Sequence, residues 1–362
     1  MPATKLDIAI ESIPAQELKG GVVKGQDLKF GKTFSDRMFI MRYTPRTGWI
    51  EPAIKKYGSF EISPAATVLH YAQEIFEGLK AYKRIDGSIG LFRPRDNFKR
   101  MNVSAERLCL PTVDVDFALD ALRQLLVLEK NWVPQEEGAS LYIRPTMIGV
   151  DPYVGLRSSE ECLFYMILSP VGMYYANGFK PTKIMVEEDT VRAVRGGLGA
   201  AKTGANYAAS LYAGVQAAKK GFDQVLWLDG VERRYVEEVG SMNIFFMYGD
   251  KLVTSALNGS ILAGITRDSV LQIAKSWKLN VAEKPVDVHE LVADIKSGKV
   301  TEVFGSGTAA VISPVGLLRY QGHDYQVADG GVGKFTQKFY DYLTGIQYGK
   351  EKDQFGWTEI IG

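Results

Sequence analysis

The chain has little that would staple or anchor it. Among its 362 residues, cysteine occurs only at Cys109 and Cys162, and histidine only at His70, His289 and His323. The histidines lie far apart without metal-ligand spacing, which argues against structural zinc. Both cysteines sit among apolar neighbours, so two reduced, buried thiols are expected rather than a disulfide. An excess of one charge is also missing. Lys and Arg number 43 against 42 Asp and Glu, which leaves no basic field for nucleic acid or an anionic membrane. The longest apolar run, Cys162 to Leu168, is too short to span a bilayer. The N-terminus, Met-Pro-Ala-Thr-Lys-Leu-Asp, lacks the apolar stretch of a signal peptide. No repeat or low-complexity tract is visible. A soluble protein of the reducing cytoplasm is expected, with a length that suggests two domains.

Glycine, by contrast, is concentrated where it matters. Arg195-Gly-Gly-Leu-Gly-Ala-Ala-Lys-Thr-Gly-Ala-Asn-Tyr207 sets Lys202 among Gly196, Gly197, Gly199 and Gly204. Glycine lets the backbone approach a ligand closely. After it, Leu211, Tyr212, Val215 and Ala218 recur at helical spacing, so Lys202 lies on a tight loop that opens a helix. A phosphate-binding P-loop would use Gly196, Lys202 and Thr203. However, Ala201 stands where that motif needs glycine, and Val191-Arg-Ala-Val-Arg195 is no buried strand. A Schiff-base lysine is the second reading: a confined amine loses its proton more readily and attacks an aldehyde. The plain alternative is a solvated loop lysine.

Along the chain, residues 1–30 read as a polar arm. Strands are expected at Met38–Tyr43, Phe60–Ile62, Ser140–Arg144, Cys162–Leu168, Lys183–Val186, Gln224–Leu228 and Val300–Phe304. Hairpins are expected around Asp86-Gly87 and Gly249-Asp250. Helices should run from Pro94 to about Leu108, Asp116 to Lys130, Thr266 to Trp277 and Gly333 to Tyr348. The breaker-rich Ser169–Gly178 marks a boundary. The expected class is α+β or mixed α/β, with a small domain at 1–174, a larger one at 175–362 and a linker at about 169–180.

Three further stretches carry chemistry. Glu237-Glu-Val-Gly-Ser-Met-Asn-Ile-Phe245 puts two carboxylates before a buried-looking strand. Charge is costly there unless paired, so Glu237 reads as a solvated edge, whereas Glu238 on the opposite face can turn inward against a protonated ring nitrogen. Ile261-Leu-Ala-Gly-Ile-Thr-Arg-Asp268 feeds a helix whose first N–H groups suit a phosphate. Gly305-Ser-Gly-Thr-Ala309 could form an anion nest. Arg93, Arg95 and Arg100 are all available as cations, and the residues alone do not rank them.

Together with Tyr71-Ala-Gln-Glu-Ile-Phe-Glu-Gly-Leu-Lys80, Leu91-Phe-Arg-Pro94, Leu252-Val-Thr254 and Phe30-Gly-Lys-Thr-Phe-Ser-Asp-Arg-Met38, these stretches resemble the branched-chain amino acid aminotransferases. That is a two-domain, fold-type IV family with pyridoxal 5′-phosphate between the domains, and the resemblance covers nearly the whole chain. It implies that Lys202 is the Schiff-base lysine and proton carrier. Glu238 would pair with the ring nitrogen and Tyr207 with the phenolic oxygen. Arg100, with the backbone of Ile265 and Thr266, would hold the phosphate, and Arg192 joins the cofactor set. Phe30, Tyr142, Tyr174 and Ser241 would wall the substrate pocket, with Thr308 and Ala309 receiving the α-carboxylate. Tyr71, Val154 and Leu156 would come from the partner in a homodimer.

The implied reaction moves the amino group of L-leucine, L-isoleucine or L-valine to 2-oxoglutarate, giving L-glutamate, by a reversible ping-pong mechanism. One pocket must then accept both an apolar side chain and a second carboxylate. Arg144, two residues past Tyr142 on the same strand face, could take that carboxylate through a bidentate contact; a structural arginine at a strand end is the alternative. Some animal members carry a C-x-x-C redox pair after the turn. Here the sequence is Ala309-Ala-Val-Ile-Ser313, which implies no thiol switch and a bacterial-type member. Ser241 stands where some members have threonine. The rivals are a D-amino acid transaminase or aminodeoxychorismate lyase, a P-loop ATPase, and a cofactor-binding protein without catalysis.

Overall fold

The computed structural model describes residues 6–22, 28–173 and 179–361. The chain forms two compact units, Met1–Tyr174 with Gly345–Gly362, and Tyr175–Thr344.

In the first unit, β1 (Ala9–Ile10), β2 (Arg37–Thr44), β3 (Gly48–Lys56), α1 (Thr67–Tyr71), β4 (Glu74–Phe76), β5 (Leu79–Lys83), β6 (Ile89–Phe92), α2 (Pro94–Arg107), α3 (Val115–Leu128), β7 (Ser140–Gly149) and β8 (Cys162–Val171) follow one another. The strands join in the order β1-β3-β2-β8-β7-β5-β6, with β4 against β7. Proline opens α2, and Asp114 caps α3 by accepting from the Phe117 N–H at 2.7 Å, a contact worth about 1 kcal/mol. Leu119, Leu122, Leu125 and Leu126 of α3 are buried with Phe39, Phe98 and Phe164 in one core. The antiparallel β7–β8 ladder, from Ser140↔Val171 to Gly149↔Cys162, fixes the register of Tyr142 and Arg144. Next to it, buried Asp36 accepts from the backbone N–H groups of Lys19 and Gly20 and from Trp132 Nε1. That carboxylate pins the N-terminal arm close to Phe30 in sequence.

The second unit holds β9 (Thr182–Val186), α4 (Gly204–Lys219), β10 (Gln224–Leu228), β11 (Val236–Val239), β12 (Met242–Tyr248), β13 (Lys251–Thr254), α5 (Ile265–Ser276), β14 (Asn280–Glu283), α6 (Val288–Lys296), β15 (Glu302–Gly307), β16 (Val311–Tyr320), β17 (His323–Gln326) and α7 (Lys334–Tyr348), whose last residues count with the first unit. Its sheet runs β11-β10-β9-β16-β15-β12-β13-β14. Because β11 also bonds β12, the six strands from β11 to β12 close on themselves, which removes two open edges. Ile184, Leu226, Ile244, Phe246 and Val303 belong to the core of this unit.

Several expectations change. The last strand, β18 (Thr358–Ile361), pairs antiparallel with β6, so the closing segment joins the first unit and not the 175–362 division. Phe60–Ile62 forms no strand, whereas β3, β4, β11 and α6 do form. The strand β8 continues through Ser169–Val171, residues expected in the linker. Leu211, Tyr212 and Val215 do repeat on α4, but they are exposed, and the helix buries Asn206, Ala213 and Ala217 instead. Cys109 is exposed, not buried. Cys162 is buried, and burial, with the charges of Asp151 and Glu161 nearby, pushes its thiol up to about 12, where the reactive thiolate is scarce. Among the described residues no helix is long and apolar enough to cross a membrane, and no cluster of metal-ligating side chains occurs.

Candidate active site

The lysine loop is built by close approach. A Cβ on Gly199 would stand 2.1 Å from the Ser260 carbonyl oxygen, and one on Gly264 would stand 2.0 Å from Asn243 Oδ1. Backbone blocks a side chain at Gly199, whereas at Gly264 the Asn243 amide would have to move. The loop is tied to α4 by Asn206 Nδ2, which donates to the carbonyls of Leu198 and Ala201 at 2.8 and 2.9 Å. Lys202 then lies just before the helix start, with Nζ donating to Tyr207 Oη at 3.0 Å. Tyr207, in the first turn of α4, therefore meets an amine carried by the loop just before the helix.

Opposite them is an acid. Glu238 is 3% exposed on β11. Its Oε1 accepts from the Leu262 N–H at 2.8 Å, and its Oε2 lies 3.3 Å from Arg192 Nε. Arg192 is 8% exposed and also donates from Nη2 to the Ser260 carbonyl. Burial raises the proton affinity of Glu238, with Glu237 adding to it; Arg192, the Leu262 N–H and Lys202 pull the other way. Burial wins, so the net effect is a raised proton affinity despite the Arg192 guanidinium at 3.3 Å. Lys202, Tyr207, Arg192, Glu238, Ser241 and Leu262 line a single cavity. Amine, phenol, acid and guanidinium are therefore brought together within this unit.

Around the same unit, Ile265 and Thr266 form the first turn of α5, with Gly264 as its cap and the dipole's positive end there. Thr308 and Ala309 occupy the turn between β15 and β16.

In the first unit, Arg100 meets Glu77 through two bonds, Nε to Oε1 at 2.8 Å and Nη2 to Oε2 at 2.9 Å. Glu77 is fully buried and also accepts from Asn97 Nδ2 at 2.8 Å. Sequence reasoning missed Glu77 as the group that orients this arginine. The other two arginines have different work: Arg93 bonds Asp96 at 2.7 Å and stacks over Trp357, and Arg95 meets Asp116 on the surface.

Arg144 Nη2 donates to Tyr142 Oη at 2.9 Å, and its guanidinium lies 4.5 Å from the centre of the Phe76 ring. Its Nε is buried without a hydrogen-bond acceptor among the described residues. Phe30 packs edge-on against Tyr142 with centroids 4.8 Å apart. A Cβ on Gly78 would collide with Tyr142 Oη, so Gly78 makes room for that phenol. Tyr71 donates to the Val154 carbonyl, and Tyr71, Val154 and Leu156 are all exposed, Leu156 at 85%. Tyr174 lies outside the described residues.

Glu237 departs from expectation. It is 2% exposed, not a solvated edge, and it accepts from Ser260 Oγ and from Asn258 Nδ2. The Asn258-Gly259 turn signal could have pointed to this loop.

A class IV amino-transferase family model matches residues 74–318. A probable branched-chain-amino-acid aminotransferase of Staphylococcus epidermidis is 54% identical over 332 residues, 91% of this chain and 92% of that protein. The chain belongs to the branched-chain-amino-acid aminotransferases of class IV. Branched-chain-amino-acid aminotransferase 2 of Bacillus subtilis is 50% identical over 334 residues, 92% of each protein. The solved T.th. branched-chain amino acid aminotransferase complexed with N-(5′-phosphopyridoxyl)-L-glutamate shares the fold, with a TM-score of 0.74 and 23% identity over 90% of this chain and 98% of that one. The fold-type IV architecture and the aminotransferase class expected from the motifs thus stand.

Proposed function

We propose that this aminotransferase moves the amino group of L-leucine, L-isoleucine or L-valine to 2-oxoglutarate, using pyridoxal 5′-phosphate held at Lys202. The observation that carries the reading is the meeting of Lys202, Tyr207, Arg192 and Glu238 in one cavity. The named relatives support the substrate class, and the phosphopyridoxyl-glutamate complex of the structural relative supports the cofactor and the second substrate.

The residues present fit that cofactor. Glu238 is a buried acid that lines the cavity with the Lys202 amine, and an acid there suits a protonated pyridine nitrogen. Tyr207 is a phenol beside the amine and suits the ring's phenolic oxygen. The first turn of α5 at Ile265 and Thr266 suits the phosphate, as does Arg100, held at one edge by Glu77. When bound, pyridoxal 5′-phosphate supplies an aldehyde to carry the amino group and a ring that withdraws electrons from the substrate carbon.

The chain's own groups do the rest. The Lys202 amine holds the cofactor's carbon and, when free, takes and returns the proton at the substrate Cα. Tyr207 steers that amine. Arg192 and the Leu262 N–H fix the Glu238 carboxylate so that it keeps the ring nitrogen protonated. Phe30, Tyr142 and Ser241 wall the side-chain pocket, with Tyr174, and Thr308 and Ala309 take the α-carboxylate. Tyr71, Val154 and Leu156, exposed on one subunit, complete the pocket of a second in a homodimer. Both substrates use the pocket in turn, which gives ping-pong kinetics.

The test compares amino donors with 2-oxoglutarate as acceptor. L-Leucine, L-isoleucine and L-valine should each yield L-glutamate, whereas D-alanine should not. Faster turnover of D-alanine than of L-leucine would transfer the protein to the D-amino acid transaminases.

A further inference from the structure

Glu237 and Glu238 are successive strand residues, whose side chains leave opposite faces. The segment Asn258–Leu262 nevertheless reaches both. Ser260 Oγ donates to Glu237 Oε1, while the Leu262 N–H donates to Glu238 Oε1 at 2.8 Å. Asn258 completes the lower grip: its Nδ2 donates to Glu237 Oε1 at 3.3 Å, and its Oδ1 accepts from the Ser260 N–H at 3.0 Å. Ser260 is fully buried. Its carbonyl accepts from Arg192 and lies where Gly199 of the lysine loop must pass without a side chain. One residue thus touches the support of the acid, the guanidinium beside the acid and the loop that carries the amine.

We infer that Glu237 is a positioning residue, which anchors Ser260 so that the Ser260 carbonyl and the Leu262 N–H hold Arg192 and Glu238 in place for the cofactor ring. The inference rests on the reading of Glu238 as the ring's partner. A buried carboxylate is costly unless hydrogen-bonded, and Glu237 Oε2 has no hydrogen-bond partner among the described residues. Such a group is poor value as a stabiliser of the fold. Among the described residues its side-chain hydrogen bonds come from Asn258 and Ser260, in the segment whose Leu262 lines the cavity.

The test uses Glu237→Ala, Glu237→Gln and Ser260→Ala. Glutamine keeps an acceptor oxygen for Ser260 Oγ; alanine does not. In cofactor-free protein, Glu237→Ala should raise hydrogen exchange at the Leu262 amide about ten- to a hundredfold, with exchange in the α2 and α3 helices unchanged. The dissociation constant for pyridoxal 5′-phosphate should rise by a similar factor. Ser260→Ala should match it, the double variant should be no worse than either single one, and Glu237→Gln should restore both readouts. Unchanged Leu262 exchange in Glu237→Ala and Ser260→Ala would overturn the inference, as would a glutamine variant as impaired as alanine. If wild-type protein binds no pyridoxal 5′-phosphate, the functional reading fails, while the amide-exchange comparison still decides the role of Glu237.

Discussion

Lys202→Ala should lower amino transfer from L-leucine by more than about 10⁴-fold, because the variant loses both the covalent attachment point and the proton carrier. The expectation follows from the placing of the amine. Lys202 Nζ is 3.0 Å from Tyr207 Oη and lines the cavity that Glu238 closes. Its side chain is no part of either hydrophobic core, so folding should survive and the loss should lie in turnover. Steady-state rates, with circular dichroism as the control for folding, check this. Turnover retained within tenfold would refute the assignment.

The second large effect is a split between substrates. Arg144→Ala should cut kcat/KM for L-glutamate by about a hundredfold, the scale of losing a charge-assisted bidentate contact. L-Leucine should change by only about threefold, through disturbed packing on Tyr142 and Phe76. The structural ground is the buried Nε of Arg144, which has no hydrogen-bond partner among the described residues, on a guanidinium whose Nη2 donates to Tyr142 Oη. The stack on Phe76 holds the guanidinium in place, yet leaves it able to receive a carboxylate. Equal losses for both donors would make Arg144 a structural arginine.

What the letters could disclose depended on whether a local rule or a distant partner was in charge. The lysine loop was legible because glycine density and a helix period act locally, and Pro94 announced α2 for the same reason. Glu237 was misread because the hydrogen bond that satisfies it when buried comes from Ser260, 23 positions away. Glu77 escaped notice likewise, since its bond with Arg100 is made between a strand end and a helix. The α4 periodicity was real, but exposure of Leu211, Tyr212 and Val215 shows that an apolar repeat marks a face without saying what covers it. β18 could not be placed from sequence, because pairing a last strand with β6 is a long-range choice that no turn signal marks. The family resemblance chose Arg100 over Arg93 and Arg95; all three meet an acid, Glu77, Asp96 and Asp116 respectively, so pairing alone does not rank them.

Borohydride reduction of the purified protein, followed by mass mapping of its peptides, tests the covalent claim most directly. A phosphopyridoxyl group on the peptide bearing Lys202, absent when L-leucine is added first, is the result expected here. A modified lysine anywhere else, or a protein that carries no such group after incubation with pyridoxal 5′-phosphate, would contradict it.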